Sequence, residues 1–417
     1  MARSDTMISS SAWAKLRQLQ PRLQRLAILY GGLFLLMSFV LTWLTPGLAY
    51  GAKGVVGGDF LAFYTAGDMA LQGQALDAYD FEAFDAALQT RVANEHLGMM
   101  WQYPPLMFFV VSALALLPYK LSLWVWLTAT AGAFIWALNR ILVSEAPEAA
   151  SRRMTMLLIL TSPLALMVVT SGQISLFTAA LLMTAVYRPG QHWLVAGVAA
   201  GLLTLKPQLG VLIPFAFVAT GAWRAFGAAA ITALVLHTAS VVAFGPETIA
   251  AFFNAVLRLQ SDVAGSGTHT PPVNMTTLFG QLRYWQVPSG VAMAFHLGLA
   301  VFVLISVTWL WRKHRGDEAR ALYLAALVGA GAILVTPYAY AYEMAALAPA
   351  AIWLAFRSGR YAGLAIGVLS AGWLLLTVRA YVPLDLLIQM PFLVSLETFL
   401  LLLFADRKAP NPKAATV

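Results

Sequence analysis

The chain contains no cysteine, so neither disulfides nor thiolate-bound metals can hold its fold together. It is also poor in charge. Asp, Glu, Lys and Arg make up 11% of the residues against 60% apolar ones, and the mean hydropathy of +0.75 excludes an ordinary soluble protein. No repeat at a fixed period is visible, which sets aside solenoids and propellers. The two halves show no matching interrupted helices of the kind many transporters are built on. No spacing of His, Asp and Glu marks a dedicated metal site. The sequence pI near 9.7 raises the question of nucleic acid, and the distribution of the cations answers it.

What the chain does have is apolar runs. A helix needs roughly 20 such residues to cross ~30 Å of hydrocarbon. Twelve candidates are read, at 26–45, 119–139, 155–170, 174–187, 193–205, 208–220, 226–244, 291–311, 320–335, 343–356, 361–379 and 387–404. The expected fold is therefore an all-α integral membrane bundle of about 12 transmembrane helices. A basic N-terminal segment, 1–25, precedes a single membrane domain, 26–404, and a tail, 405–417, follows it. Several runs are short, so their ends extend into flanking residues.

With residues 1–25 inside, alternation along these runs gathers most Lys and Arg on one face. Only Lys53, Arg91, Lys120, Lys206, Arg258, Arg283 and Arg379 fall on the other. Both termini are then cytoplasmic, the basic charge is a topology signal, and a nucleic-acid partner is not expected. Leu48 to Ala52 loosely imitates a signal-peptidase site, but the preceding apolar run exceeds the usual signal core, so segment 26–45 reads as an uncleaved anchor.

Two outer segments are long enough to carry function, 46–118 and 245–290. In the first, Asp59 closes a Gly57-Gly58-Asp59-Phe60 turn ahead of an expected helix over 60–75, and Asp80 begins another over 81–97. Both have the pattern of helices lying on the membrane surface. Tyr103-Pro104-Pro105 breaks the chain before the apolar stretch 106–118. That stretch must stay on the same side, because a full crossing would invert every later loop. In the second segment, Pro246 opens an amphipathic helix, and residues 261–277 form a Ser/Gly/Thr/Pro-rich loop.

Every unusual polar motif emerges on this outer face: Asp59, Tyr103-Pro104-Pro105, Ser171-Gly172-Gln173, Lys206-Pro207-Gln208, Asn274 to Arg283, and Thr336 through Glu343. A carboxylate at a membrane surface, among aromatics and a few fixed cations, suits base chemistry on a lipid-linked substrate. Each residue also has a plainer reading. Asp59 suits a helix N-cap, and Lys206 at a broken helix end suits snorkelling to headgroups. Tyr103-Pro104-Pro105 suits a rigid interfacial turn, Gln173 the satisfaction of loop backbone, and Glu343 a helix dipole. Asn274 and Arg283 suit loop anchors, and Arg379 a headgroup anchor. His237 and His296 lie inside apolar runs and read as packing residues.

Taken in order and spacing, these motifs resemble glycosyltransferase family 87, a polyprenyl-phosphate-sugar-dependent group of the GT-C superfamily. The residues that carry the resemblance are Gly58-Asp59-Phe60 with Tyr64 to Gly67 and Leu71-Gln72-Gly73, then Tyr103-Pro104-Pro105-Leu106 and Leu116-Leu117-Pro118. Ser171-Gly172-Gln173, Leu205 to Gln208, and Asn274-Met275-Thr276 with Arg283 follow. The likeness covers about 30–400. It implies a GT-C-type multi-helix bundle with a catalytic aspartate in the first outer loop, at Asp59. One departure stands out. Family members often carry a Ser-Pro, Trp and His cluster in a late outer loop, where this chain reads Thr336-Pro337-Tyr338-Ala339-Tyr340-Ala341-Tyr342-Glu343. The histidine is missing, and Tyr342 or Glu343 is the candidate replacement.

The resemblance implies an inverting transfer of a hexose such as mannose from polyprenyl phosphate to a lipid or glycan acceptor. Asp59 takes the acceptor proton. Lys206, Arg283 and Arg379 are the candidates to stabilise the departing phosphate, and Tyr64, Tyr103 and Tyr340 to stack on sugars. Gln173, Gln208, Asn274, Tyr342 and Glu343 complete the expected substrate contacts. No cofactor is expected, although a cation shared by Asp59 and phosphate stays open. The rival readings are a transporter or flippase of a lipid-linked sugar, and a non-catalytic scaffold of an envelope assembly complex.

Overall fold

The computed structural model describes residues 10–50, 54–92, 97–146, 148–264, 275–357 and 390–406. Helix α1 (Ser10–Leu44) leads into a two-residue antiparallel pairing of Ala49–Tyr50 with Gly54–Val55, then α2 (Phe60–Leu71) and α3 (Phe81–Gln89). Helix α4 (Phe108–Ala115) turns at Pro118 into α5 (Tyr119–Glu145). Helices α6 (Ala149–Leu160) and α7 (Pro163–Ser171) form a bent pair, and α8 (Ser175–Val186), α9 (Trp193–Leu202), α10 (Pro207–Gly210) and α11 (Leu212–Thr220) follow. The described chain continues with α12 (Trp223–Phe244), α13 (Glu247–Ala264), α14 (Leu278–Tyr284), α15 (Ser289–Lys313), α16 (Ala321–Val335), α17 (Ala348–Arg357) and α18 (Met390–Asp406).

Among the described residues, five stretches are long and apolar enough to cross a membrane: Gln24–Leu44, Tyr119–Glu145, Trp223–Phe244, Ser289–Lys313 and Glu318–Val335. A sixth forms if α6 and α7, bent by 42° at Pro163, act as one span. The remaining apolar runs fold as helices of 10–17 residues, which at 1.5 Å per residue reach only about 15–25 Å. Proline explains part of the difference from twelve full spans. Pro163 interrupts the run read at 155–170, because the residue before a proline is disfavoured in the helical region: Ser162 is extended and α6 stops at Leu160. The expected span 361–379, together with Asn274 and Arg379, lies outside the described residues.

Exposure sorts the long helices. Apolar side chains project freely from α1, α12 and α15, with Val242 82% and Leu234 68% exposed, as a hydrocarbon solvent allows. Helix α16 is the opposite: its side chains are almost all buried, and it forms the centre of the main core with α8, α15 and α17.

A second aromatic core surrounds α2, which corrects the expectation of a surface helix. Phe60, Leu61, Phe63 and Ala66 are fully buried against α4 and α5. The close approach depends on Gly67, where an added Cβ would lie 2.1 Å from the Val111 carbonyl oxygen. Helix α2 stops at Leu71, before Gly73 at φ +78°, and α3 is shorter than expected although Asp80 caps it through Ala83 N–H at 3.0 Å. Helix α4 stays at the α2 end of the molecule, since Leu114 O accepts from Ser122 and Leu117 O from Tyr64. Helix α13 is amphipathic, as expected, and keeps Phe253 and Leu257 exposed.

Helices α5, α8 and α16 join two ends. One end holds Asp59, Gln173 and Thr336 to Glu343. The other holds Glu145, Tyr187, Arg188, Lys313 to Arg320 and Asp406, which are linked to one another by ion pairs and hydrogen bonds.

Candidate active site

Four chain breaks build the site. The first is the Gly57-Gly58 turn, with both glycines at positive φ, which presents Asp59. Asp59 occupies the N-cap position of α2, yet its side chain makes no capping bond. Its backbone N–H donates instead to Ser171 O at 2.8 Å, and its Oδ2 accepts from Gln173 Nε2 at 2.5 Å. The capping reading of this carboxylate is therefore not realised.

The second break is Gly172, a left-handed C-cap at φ +61°. Its carbonyl accepts from the Trp126 indole at 3.0 Å, and a Cβ there would fall 2.2 Å from Gly57 O and 2.6 Å from Phe60 Cβ. No other residue lets α7 and the Asp59 turn meet so closely. Trp126 carries no sequence signal for this role, because it is one aromatic among several in an apolar span.

The third break is Lys206, displaced from the helical region by Pro207. Its ammonium is buried, forms an ion pair with Glu343, and lies 5.7 Å and 5.3 Å from the ring centres of Tyr103 and Tyr342. The fourth is the 3₁₀ segment Ala341–Leu347, which supplies Tyr342 and Glu343; Tyr340, just before it, stacks on Tyr342 at 5.5 Å. An antiparallel bridge between Met275 and Tyr340, with Thr276 N–H donating to Ala339 O at 2.8 Å, docks the second outer segment on this loop.

Asp59, Tyr103, Gln173, Lys206, Tyr340, Tyr342 and Glu343 thus form one group. Tyr103 closes it, with its hydroxyl donating to Gln173 Oε1 at 3.2 Å. Other sequence candidates have different partners. Tyr64 donates to Leu117 O at 2.9 Å and carries the Arg91 guanidinium over its ring, and Arg283 donates to Val287 O at 2.8 Å. Gln208 sits half-buried in the first turn of α10. His296 donates from Nε2 to Val335 O at 3.2 Å and belongs to the packing beneath the loop.

Burial raises the Asp59 pKa above the ordinary carboxylate value, and Gln173 and Lys206 only partly oppose this. Burial likewise works against the Lys206 ammonium, but Glu343 and Tyr103 outweigh it, so the lysine stays charged. Tyr103 is pushed up to about 12, and burial raises Tyr340 and Tyr342 as well, so all three stay phenols.

Beside this group lies an apolar cavity of about 430 Å³, walled by Pro104, Pro105, Pro207, Ile249, Phe252 and Phe253, with Thr204 and His237 its polar neighbours among the described residues. Pro104 follows Tyr103 and Pro207 follows Lys206, so the cavity and the charged group share a wall.

A model of glycosyltransferase family 87 matches residues 101–337, more than half of the chain. The chain belongs to that family. It is therefore a glycosyltransferase with several membrane helices. No curated protein and no solved structure is significantly similar to it. The segment matched to family 87 contains Tyr103, Gln173 and Lys206. It excludes Asp59 on one side and Tyr340 to Glu343 on the other, and the fold joins these flanking residues to it.

Proposed function

We propose that this glycosyltransferase moves a hexose, with mannose the first candidate, from a polyprenyl-phosphate donor to a lipid or glycan acceptor, with inversion. One observation carries the reading. A half-buried carboxylate and a buried ammonium sit in one hydrogen-bonded group whose chain neighbours Pro104 and Pro207 line an apolar cavity. A sugar on a lipid phosphate presents those three chemistries together: a reacting carbon, an anionic leaving group and a hydrocarbon chain.

In the proposed step the acceptor oxygen attacks the anomeric carbon from the face opposite the phosphate. Its proton passes to Asp59 and the bond to phosphate oxygen breaks, with the electron pair leaving on phosphate. A raised pKa makes Asp59 a stronger proton acceptor near neutral pH, and positioned general bases contribute ~10²–10⁴-fold. Lys206 stabilises the developing charge on phosphate in a water-poor setting. Tyr340 and Tyr342, stacked on each other beside Lys206, are the aromatic candidates for contact with the sugar. The cation bias of the loops supports a bacterial inner-membrane location with both termini cytoplasmic and the site facing outward.

The test is transfer of labelled hexose from synthetic polyprenyl-phosphate hexose in proteoliposomes, followed by lipid analysis. A new glycosidic bond made by wild type and lost in Asp59→Asn is the expected result. Movement of the label across the bilayer without a new bond would instead favour a transporter.

A further inference from the structure

Gln173 is only 5% exposed, and three of the four hydrogen-bonding positions of its carboxamide are engaged. Oε1 accepts from the Tyr103 hydroxyl at 3.2 Å and from the Ile174 N–H at 3.3 Å, while Nε2 donates to Asp59 Oδ2 at 2.5 Å. A backbone N–H can only donate, so the amide oxygen must face Ile174 and the amide nitrogen must face the carboxylate. The reversed amide would set N–H against N–H and carbonyl oxygen against carboxylate. The backbone on both sides is pinned too, by left-handed Gly172 and by Asp59 N–H on Ser171 O. Tyr103 in turn interacts with the Lys206 ammonium. A continuous path runs from Lys206 through Tyr103 and Gln173 to Asp59.

We infer that Gln173 is a positioning residue, a one-way amide bridge that aims the Asp59 carboxylate, sustains its charged form and ties it to the state of Lys206. This role rests on Asp59 being the base, and it differs from contact with substrate. The groups facing Asp59 are Lys206 at the α9–α10 break, Tyr103 before α4, and Tyr340, Tyr342 and Glu343 before α17. Glu343 takes up much of the lysine charge, and the phenols are neutral, so among the described residues the amide is the neutral donor committed to the anion. A hydrogen bond to the charged form favours it. Losing the bridge therefore raises the Asp59 pKa and moves the acid limb of activity to higher pH.

The experiment has two arms. In the first, the C=O stretch of the protonated Asp59 carboxyl, identified by its absence in Asp59→Asn, is followed by infrared spectroscopy across pH on purified protein without substrate. Gln173→Leu, which keeps the bulk and removes the amide, shifts the midpoint up by about one pH unit. Gln173→Glu shifts it further, as two carboxyls share a proton. Tyr103→Phe shifts it less, since Ile174 still orients the amide. In the second arm, turnover of synthetic polyprenyl-phosphate mannose by Gln173→Leu falls by up to about tenfold at pH below the wild-type infrared midpoint, recovers at higher pH, and keeps KM within about twofold.

An unchanged infrared midpoint in both Gln173 variants overturns the bridge, as does a rise in KM at constant kcat, the mark of a substrate contact. Activity lost equally at every pH also overturns it and leaves a structural role. A shifted midpoint in a wild-type background that transfers no sugar keeps the bridge and rejects the proposed reaction.

Discussion

At the end of the bundle away from Asp59, the Asp406 carboxylate is met by Lys313 and His314 at 2.6 Å each and by Arg320 at 3.5 Å. Burial alone would raise its pKa, yet the hydrogen bonds from Lys313 and His314 outweigh it, and Asp406 lies below the ordinary carboxylate value. At the Asp59 end a single lysine serves two carboxylates. Glu343 holds that lysine, its own Oε2 is buried without a hydrogen-bond partner, and the Asp59 pKa is raised. One end saturates its acid with cations and clasps α18 to the bundle. The other leaves an acid short of positive charge, which costs stability and is the arrangement the proposed base requires. Under-compensated charge is what separates the candidate site from a structural clasp in this molecule.

The comparison breaks most directly at Asp59. Asp59→Asn lowers hexose transfer by about 10³-fold, within the range of a lost general base, while thermal unfolding in detergent shows no loss of stability. The stability result follows from the sign of the shift. A carboxylate whose folded pKa is raised disfavours its own ionisation in the native state, so a neutral isostere removes a penalty. A clear fall in melting temperature would make Asp59 structural after all.

Next is the buried pair. Lys206→Met leaves the buried Glu343 without its ion-pair partner, which costs about 3–5 kcal/mol in denaturant unfolding and abolishes transfer. The double variant Lys206→Met with Glu343→Met regains most of the stability and none of the activity. Recovery of transfer in the double variant would remove Lys206 from the chemistry. Gly172→Ala forces a side chain into left-handed backbone against Gly57 and Phe60, and lowers stability by about 1–3 kcal/mol with a matching loss of transfer. Undiminished activity there would show that the Asp59 turn tolerates displacement.

The far end sharpens the contrast. Asp406→Asn lowers stability by about 1–2 kcal/mol near neutral pH and leaves transfer within about twofold. The Asp406 contribution is present above the unfolded value of 3.8 and is lost as pH falls through the depressed folded value, so wild type and variant converge in acid. Smallest of all is Tyr64→Phe, which loses one hydrogen bond to Leu117 O and changes stability by no more than about 1 kcal/mol, with transfer unaffected. A large effect on KM would place Tyr64 at the substrate.

Much of this was legible from residue order. The glycine turn before Asp59, the proline after Lys206 and the Pro104-Pro105 break are local chemistry, and each appears where its residue type requires. The helices around 60–71 and 81–89 were legible for the same reason, and Asp80 caps as its type suggests. Misreading α2 as a surface helix has an equally physical cause. Its apolar residues suit either lipid or protein, and Gly67, which admits α4, signals a close approach only once the neighbour is known. Tyr64 and Tyr103 look alike as interfacial tyrosines, yet one is turned to Leu117 and the other to Gln173. The number of full spans was overestimated, because the runs at 174–187, 193–205, 208–220 and 343–356 fold at about the lengths read, and those lengths fall short of a bilayer.

Hydropathy is a sum over neighbouring residues, so the sequence alone determined a multi-pass helical membrane protein. Whether Asp59 would cap its own helix or turn toward an amide 114 positions away was a matter of packing. Only the tertiary structure decided it, because a backbone contact without room for a Cβ, between Gly172 and the Gly57 turn, brings the two segments together.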